Sequence, residues 1–441
     1  MTPKAPPAIV VIGDANQGKT SLIRALLAEE DLGTIKDEAG TTKTREKNQA
    51  FHDGQPVFEL FDNPGFECSA DVRLNLQKSE EKISPAIIVQ ECIRQKENAA
   101  TQWQKNAWGR EQAAWESVEK CDVILWVMDV RKAPAASALP DTAYLLARSK
   151  KYVIPVFNFL PKEKRRETLD DYRKEITEML TDYNLQSLIC EYDTNRRDFH
   201  NEIDLLAAIS ISLKSCPDGY KRFKTYVKRR EEKERLRIEN ACMDICDALL
   251  SLACYAEKKQ NVLDNNVQQE EETLRKRYIE NITRFEKKVF NKIIKHWNYE
   301  EADAVLDCQF TPLSAEITHR NHTLTDVLAW IGVKSFFDQF SGREVSVITT
   351  TDSLHKLCAR LIDLTNVIRT RSKAVMQSNK PILKDRQILI PPETLYALWV
   401  FGSQNRTSTL NQEEVNAGDR KALQQVRLQL MSFLTQQIEF S

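Results

Sequence analysis

Residues 8–27 read AIVVIGDANQGKTSLIRALL, and this stretch decides the fold. The apolar run AIVVI is typical of a buried strand, and SLIRALL is typical of a helix with one apolar face. Between them lies the pattern G-x-x-x-x-G-K-[ST], formed by Gly13, Asp14, Ala15, Asn16, Gln17, Gly18, Lys19 and Thr20. A strand, such a loop and a helix, in this order, form a phosphate-binding site. The stretch therefore predicts an α/β P-loop domain.

The loop residues have distinct predicted roles. The glycines allow main-chain N–H groups between Gly13 and Ser21 to surround phosphate oxygens at a helix N-terminus. Lys19 supplies a mobile positive charge, and the Thr20 hydroxyl is a ligand for Mg²⁺. The sequence therefore predicts a site for a nucleoside triphosphate with magnesium.

A second motif, Asp62-Asn63-Pro64-Gly65, follows the apolar run VFELF. A carboxylate at the end of such a strand can hold Mg²⁺, usually through water, while the N–H of Gly65 meets the γ-phosphate. Between the two motifs, a loop threonine can complete the magnesium shell only when the γ-phosphate is present. Thr42 is the favoured ligand, with Thr41 as the alternative.

These residues resemble the Era/TrmE-like branch of bacterial GTPases, whose loop reads G-x-x-N-x-G-K-[ST], followed by G-T-T and D-T-P-G. Residues 108–134, WGREQAAWESVEKCDVILWVMDVRKAP, and residues 152–160, YVIPVFNFL, are similar to a bacterial subgroup with a helical C-terminal domain. The resemblance covers residues 1–215 and is loose beyond. It implies that GTP or GDP is bound with Mg²⁺. It further implies catalytic roles for Lys19, Thr42 and Asn16, the last by holding K⁺ beside the phosphates.

The sequence departs from that branch at two places. The guanine-reading motif N-K-x-D is replaced by Asn158-Phe159-Leu160-Pro161. Asn158 is still expected to contact the base, but the missing carboxylate leaves GTP against ATP open, with Asp193 as an alternative source. Phe66 stands where a glutamine orients the attacking water in Ras-like enzymes, so intrinsic hydrolysis is expected to be slow.

The chain changes character at Cys216-Pro217-Asp218-Gly219. Residues 1–215 are predicted to form a mainly parallel sheet flanked by helices, with a helical insertion at about 70–120. Residues 220–441 are predicted to form a predominantly α-helical domain of unknown function. The stretch from about 220 to 298 is highly charged, with an apolar stripe at helical spacing. Residues 345–351 could form a short strand or an extended loop.

The amino-acid composition limits the classes of partner and the cellular compartment that we expect. With 63 Lys and Arg against 64 Asp and Glu, the formal net charge is −1, which gives no support for nucleic acid binding. Ten scattered cysteines without C-x-x-C suit a reducing cytoplasm, and neither a signal peptide nor a transmembrane segment is expected. We expect a cytoplasmic protein, with peripheral membrane association left open.

Three functions fit these patterns. The first is a GTP-hydrolysing switch that signals to a protein partner through the insertion and the helical half. The second is a nucleotide-gated scaffold that self-assembles with little turnover, for which a homodimer through the GTPase domain is the simplest form. The third is an ATP-specific P-loop NTPase, which the altered base motif permits.

Overall fold

The computed structural model describes residues 5–14, 16–27, 46–52, 55–63, 66–79, 83–96, 101–132, 138–160, 166–185, 188–194, 199–262, 266–299, 307–309, 313–321, 343–369, 382–384, 388–410 and 420–439. The described residues divide into two compact units, one up to Glu232 and the other from Lys233 onward.

The first unit contains a six-stranded sheet in the order β2-β3-β1-β4-β5-β6. β2 pairs antiparallel with β3, and the other pairings are parallel. The predicted fold class, a mainly parallel sheet flanked by helices, is confirmed. The strands are β1 Ala8–Ile12, β2 Glu46–His52, β3 Gln55–Asp62, β4 Val123–Asp129, β5 Tyr152–Asn158 and β6 Cys190–Glu191.

Helices connect these strands. Among the described residues, three of them lie between β3 and β4, where the sequence predicts a helical insertion. The helices are α1 Lys19–Leu27, α2 Ser69–Lys78, α3 Pro85–Lys96, α4 Gln102–Lys120, α5 Leu139–Ser149, α6 Arg166–Asp182, α7 Phe199–Ser212 and α8 Pro217–Cys254.

The central strands are buried because helices cover both faces of the sheet. Ile9 and Val11 of β1 pack into a cluster with residues of α1, α7 and α8. Val10 and Ile12 pack into a second cluster that contains Trp115 of α4. This alternation follows from the period of two along a strand. A strand buried on both faces reads as the continuous apolar run that the sequence shows.

The register of the sheet brings the ends of several strands to one edge. Val11 pairs with Asp62, so β3 ends beside the loop that follows β1. Asp129 pairs with Asn158, so β4 and β5 end together. In open α/β sheets, ligands bind at the carboxyl ends of the strands. This edge is therefore the place where the functional residues of the first unit meet.

The second unit is predominantly helical, as predicted, and also contains two small sheets. One is antiparallel with the order β7-β10-β9, and the other pairs β8 with β11. Its strands are β7 Ala256–Val262, β8 Asp307–Gln309, β9 Ala315–Asn321, β10 Arg343–Thr349 and β11 Ile382–Lys384. Its helices are the remainder of α8, α9 Val267–Lys295, α10 Thr351–Arg369, α11 Pro392–Gln404 and α12 Arg420–Glu439.

Two sequence predictions are resolved by these strands. For most of the stretch 345–351 the structure has a strand, because β10 spans Arg343–Thr349, whereas Thr351 begins α10. The charged stretch 220–298, read as helical, contains a strand, because α8 ends at Cys254 and β7 pairs with β10. In the described part of the chain, no helix combines the length and apolarity needed to cross a membrane.

A buried arginine ties α8 to α1 within the first unit. The Arg230 guanidinium donates hydrogen bonds to the carbonyl oxygen of Leu26, at 2.6 Å, and to the Tyr226 hydroxyl, at 2.8 Å. It also forms an ion pair of 2.5 Å with Glu202, and both side chains are buried. Removing one partner of such a pair leaves an uncompensated charge inside the protein.

We expect Arg230→Ala to lower the free energy of unfolding of the first unit by about 3–5 kcal/mol, because Glu202 stays buried without its cation. Urea denaturation followed by circular dichroism measures this change. Lys228→Ala is the matched control, since Lys228 is exposed and its loss should cost at most about 0.5 kcal/mol. Equal stabilities of the two variants would contradict this account.

Candidate functional site

The loop between β1 and α1 adopts a conformation that requires glycine at two positions. Gly13 has φ +146° and Gly18 has φ +87°. A Cβ atom on Gly13 would lie 2.5 Å from the carbonyl oxygen of Val127, and one on Gly18 would lie 2.2 Å from Nδ2 of Asn158. Asn16 also has a positive φ, 62°, which Asn tolerates better than most residues. The loop therefore wraps closely at the start of α1.

Asp14 and Gln17 brace the loop from within. The main-chain N–H of Asp14 donates to Oε1 of Gln17 at 2.8 Å, and Nε2 of Gln17 donates to Oδ2 of Asp14 at 3.2 Å. Burial raises the pKa of the Asp14 carboxyl, while the positive charges of Lys19 and Lys132 oppose that shift. These contacts stabilise the conformation of the loop from within.

The ammonium group of Lys19 lies across the loop. Its Nζ donates to the carbonyl oxygens of Gly13, at 3.0 Å, and Asp14, at 2.8 Å. The side chain is only 8% exposed. Burial lowers the pKa of Lys19, whereas the nearby carboxylates of Asp62, Asp14 and Glu67 raise it. A desolvated cation inside a loop that starts a helix is suited to bind a phosphate anion.

Thr20 and Asp62 form an oxygen-ligand pair beside Lys19. The Thr20 hydroxyl donates to Oδ2 of Asp62 at 2.6 Å. A hydroxyl and a carboxylate are hard oxygen ligands of the kind that Mg²⁺ prefers, so the residues present fit a magnesium ion. Ser21, one residue further along α1, is exposed.

Asn158, at the end of β5, joins three segments of the site. Its Nδ2 donates to the carbonyl oxygen of Gln17 at 2.9 Å. Its Oδ1 accepts from the N–H groups of Phe159 and Thr194, both at 2.9 Å, and from the Thr194 hydroxyl at 3.1 Å. The amide thereby fixes the phosphate loop against the ends of β5 and β6.

The expected base-recognition region carries an aromatic ring and an arginine. Phe159 has φ +59°, and its ring lies 3.3 Å from the position of a Cβ on Gly18. The Arg131 guanidinium lies 3.9 Å from the centroid of this ring, a cation–π distance. Two hydrogen bonds of 2.8 Å from Arg131 to Asp129 hold the guanidinium in place. The stack presents an arginine and a phenyl ring where the related motif has a lysine.

The structure brings most of the predicted site residues together. Gly13, Asp14, Asn16, Gln17, Gly18, Lys19 and Thr20 form one loop, and Asp62 and Asn158 adjoin it. Asp193, the alternative base-reading carboxylate, is buried at the end of β6, next to Thr194. Ala15, Thr41, Thr42, Gly65 and Pro161 lie outside the described residues.

Sequence reasoning missed three contributors. Thr194 and Arg131 each follow a strand. Thr194 contacts Asn158, which is distant in sequence, and Arg131 stacks on Phe159, which departs from the related motif. Glu111 of α4 is fully buried and accepts hydrogen bonds from the N–H groups of Glu67 and Cys68. A signal for Glu111 exists, because its spacing from Trp108 and Trp115 places a carboxylate on the apolar face of a helix.

Comparisons with known proteins agree on the first part of the chain. The family model described as 50S ribosome-binding GTPase matches residues 8–159. GTPase Der of Herpetosiphon aurantiacus is 28% identical over 166 residues, which are 38% of this chain and 30% of that protein. The tRNA modification GTPase MnmE of Neisseria meningitidis serogroup B is 34% identical over 80 residues, 18% of this chain and 17% of that protein.

The matched segment thus spans less than a third of the length of either relative. Among solved structures, an Aquifex aeolicus Era variant bound to GDP.AlF4⁻ is 18% identical and covers 42% of this chain and 50% of that chain. Its TM-score is 0.30, which is too low to support any statement about function.

We expect Asn158→Ala to weaken the binding of a magnesium-bound nucleoside triphosphate about tenfold, because the loop loses its link to β5 and β6. Isothermal titration calorimetry measures the affinity. The control is Thr194→Val, which removes one hydroxyl contact to Asn158 and keeps the main-chain N–H donor. A Thr194→Val effect as large as that of Asn158→Ala would contradict the central place of the amide.

Proposed function

Because residues 8–159 form a P-loop GTPase domain of the Era/TrmE-like class, we propose that the protein binds GTP with Mg²⁺ and hydrolyses it slowly as a switch. The observation that carries the proposal is the buried ammonium of Lys19 beside the Thr20–Asp62 pair. A cation and two oxygen ligands at one edge of the sheet match the needs of a triphosphate and its metal.

Each residue has a defined task in this proposal. Lys19 would exchange the carbonyl oxygens of Gly13 and Asp14 for phosphate oxygens, which gives the buried ammonium charge-assisted hydrogen bonds. Thr20 and Asp62 would hold Mg²⁺, which neutralises phosphate charge when bound. Thr42, with Thr41 as the alternative, and Gly65 keep the roles that the sequence predicts for the γ-phosphate state.

Slow hydrolysis follows from the residue after the second motif. The Phe66 ring is buried and stacks on Trp115, with centroids 5.1 Å apart. A phenyl group has no atom that can orient an attacking water. Asn16, exposed at the loop, is our candidate for holding a K⁺ ion whose charge would assist the transition state.

The proposal also covers the choice of nucleotide base. GTP is favoured over ATP by the class to which residues 8–159 belong, while Arg131 and Phe159 supply the aromatic and cationic surface for a purine.

We propose a protein partner in the cytoplasm, reached through α2–α4 and the second unit. The second candidate, a homodimer through the GTPase domain with little turnover, is favoured by the absence of a catalytic glutamine at position 66.

We expect Lys19→Ala to reduce affinity for GTP at least about a hundredfold, because a buried charge-assisted contact is lost. Binding of fluorescent GTP, ATP and XTP analogues measures both affinity and base preference. Lys120→Ala, at the exposed end of α4 away from the loop, is the control. Full GTP binding and turnover in Lys19→Ala would refute the site, and wild-type preference for ATP would favour an ATP-specific enzyme.

The potassium proposal has its own test. We expect GTP hydrolysis by the wild type to be several-fold faster in KCl than in NaCl, and Asn16→Ala to lose this difference while its GTP affinity stays within about threefold. Phosphate release at equal ionic strength measures the rates. Equal wild-type rates in the two salts would remove K⁺ from the proposal.

A further inference from the structure

The segment after the second nucleotide motif, residues 66–68, is held by one carboxylate of α4. Oε2 of Glu111 accepts hydrogen bonds from the main-chain N–H groups of Glu67, at 2.8 Å, and Cys68, at 2.9 Å. Oε1 of Glu111 accepts from Nε1 of Trp115 at 3.0 Å. All three partners are donors, and a carboxylate can accept from all of them through its two oxygens.

Two further contacts join the same segment to α4. The Phe66 ring stacks on Trp115 with an interplanar angle of 28°. Arg110 forms two hydrogen bonds with the Glu67 carboxylate, at 2.8 and 2.6 Å. Residues 66, 67 and 68 are therefore each attached to α4, by stacking, by an ion pair and by main-chain hydrogen bonds.

Packing alone does not require a carboxylate at position 111. Glu111 is 0% exposed, and an apolar residue at its place would fill the space between the two tryptophan-bearing turns without desolvating a carboxylate. Burial raises the pKa of the Glu111 carboxyl, although its three hydrogen bonds oppose the shift. The carboxylate adds directional hydrogen bonds to two main-chain N–H groups. These groups belong to the segment that directly follows the motif expected to contact the γ-phosphate.

We propose that Glu111 is the positioning residue that makes residues 66–68 and α4 move together, so that α4 reports which nucleotide is bound. This inference rests on the proposed GTP switch and specifies its output. Since the bonds act on main-chain atoms, a displacement of residues 66–68 is passed to α4 regardless of the side chains at 67 and 68. Helix α4 is then the element whose position differs between the two nucleotide states.

The test is hydrogen exchange at the amides of Glu67 and Cys68 and along α4, in Glu111→Gln and wild type. Glutamine offers one acceptor, so either the two N–H groups or Trp115 must face its NH₂ group. Without nucleotide, we expect these amides to exchange about ten- to a hundredfold faster in Glu111→Gln. With GDP and with a non-hydrolysable GTP analogue, wild-type α4 should exchange differently, and Glu111→Gln α4 should not.

Two further variants separate positioning from general destabilisation. Glu116→Gln lies on the same helix, where its carboxylate accepts from Gln112 at 2.9 Å, and it should behave as wild type. In the double variant Glu111→Gln with Trp115→Phe, the glutamine oxygen can face both N–H groups because the phenyl ring donates nothing. We expect at least half of the lost protection, on a logarithmic scale, to return.

The outcomes distinguish this inference from the proposed function. Unchanged exchange of the two amides in Glu111→Gln, or an α4 that still distinguishes the nucleotides in that variant, would overturn the inference and leave the GTPase proposal intact. A wild type that binds the analogue without any difference in α4 would also overturn it. A wild type that binds no nucleotide would defeat both proposals, whatever the nucleotide-free exchange shows.

Discussion

The site is organised around a lysine ammonium group that is buried in a loop of main-chain amides. A desolvated cation is unfavourable, and here the carbonyl oxygens of Gly13 and Asp14 solvate it in place of water. That arrangement requires a closely wrapped loop, which in turn requires glycine where a Cβ would collide with Val127 or Asn158. The hydrogen bond from Asn158 to the carbonyl oxygen of Gln17 helps to hold the loop in this closely wrapped conformation.

Local sequence was sufficient to predict this part of the molecule. An apolar run, a glycine-containing loop and an amphipathic helix are contiguous, so their geometry depends on few distant residues. The mainly parallel sheet was predictable because strands buried on both faces read as apolar runs. The position of Asp62 beside Thr20 follows from the parallel pairing of β1 with β3, once both runs are recognised as strands.

The remaining features depend on contacts between distant residues. The strand Ala256–Val262 reads AEKKQNV, which lacks apolar alternation, and it forms because β10 pairs with it. Arg131 acquires its place from Phe159, a residue that departs from the related motif and adopts a positive φ. The role of Glu111 is not predictable from a single sequence. The sequence shows a carboxylate on an apolar helix face, but not the two main-chain N–H groups that donate to it.

Phe66 connects the chemistry of the site with its proposed output. A glutamine at this position would face the attacking water, whereas the phenyl ring is 5% exposed and packs on Trp115. One side chain cannot both orient a water and stack on Trp115, and the Phe66 ring packs against α4. In the proposed switch, slow hydrolysis and a firm link between residues 66–68 and α4 would both result from phenylalanine at position 66. The contacts between residues 66–68 and α4 would then make α4 the element that signals the triphosphate state.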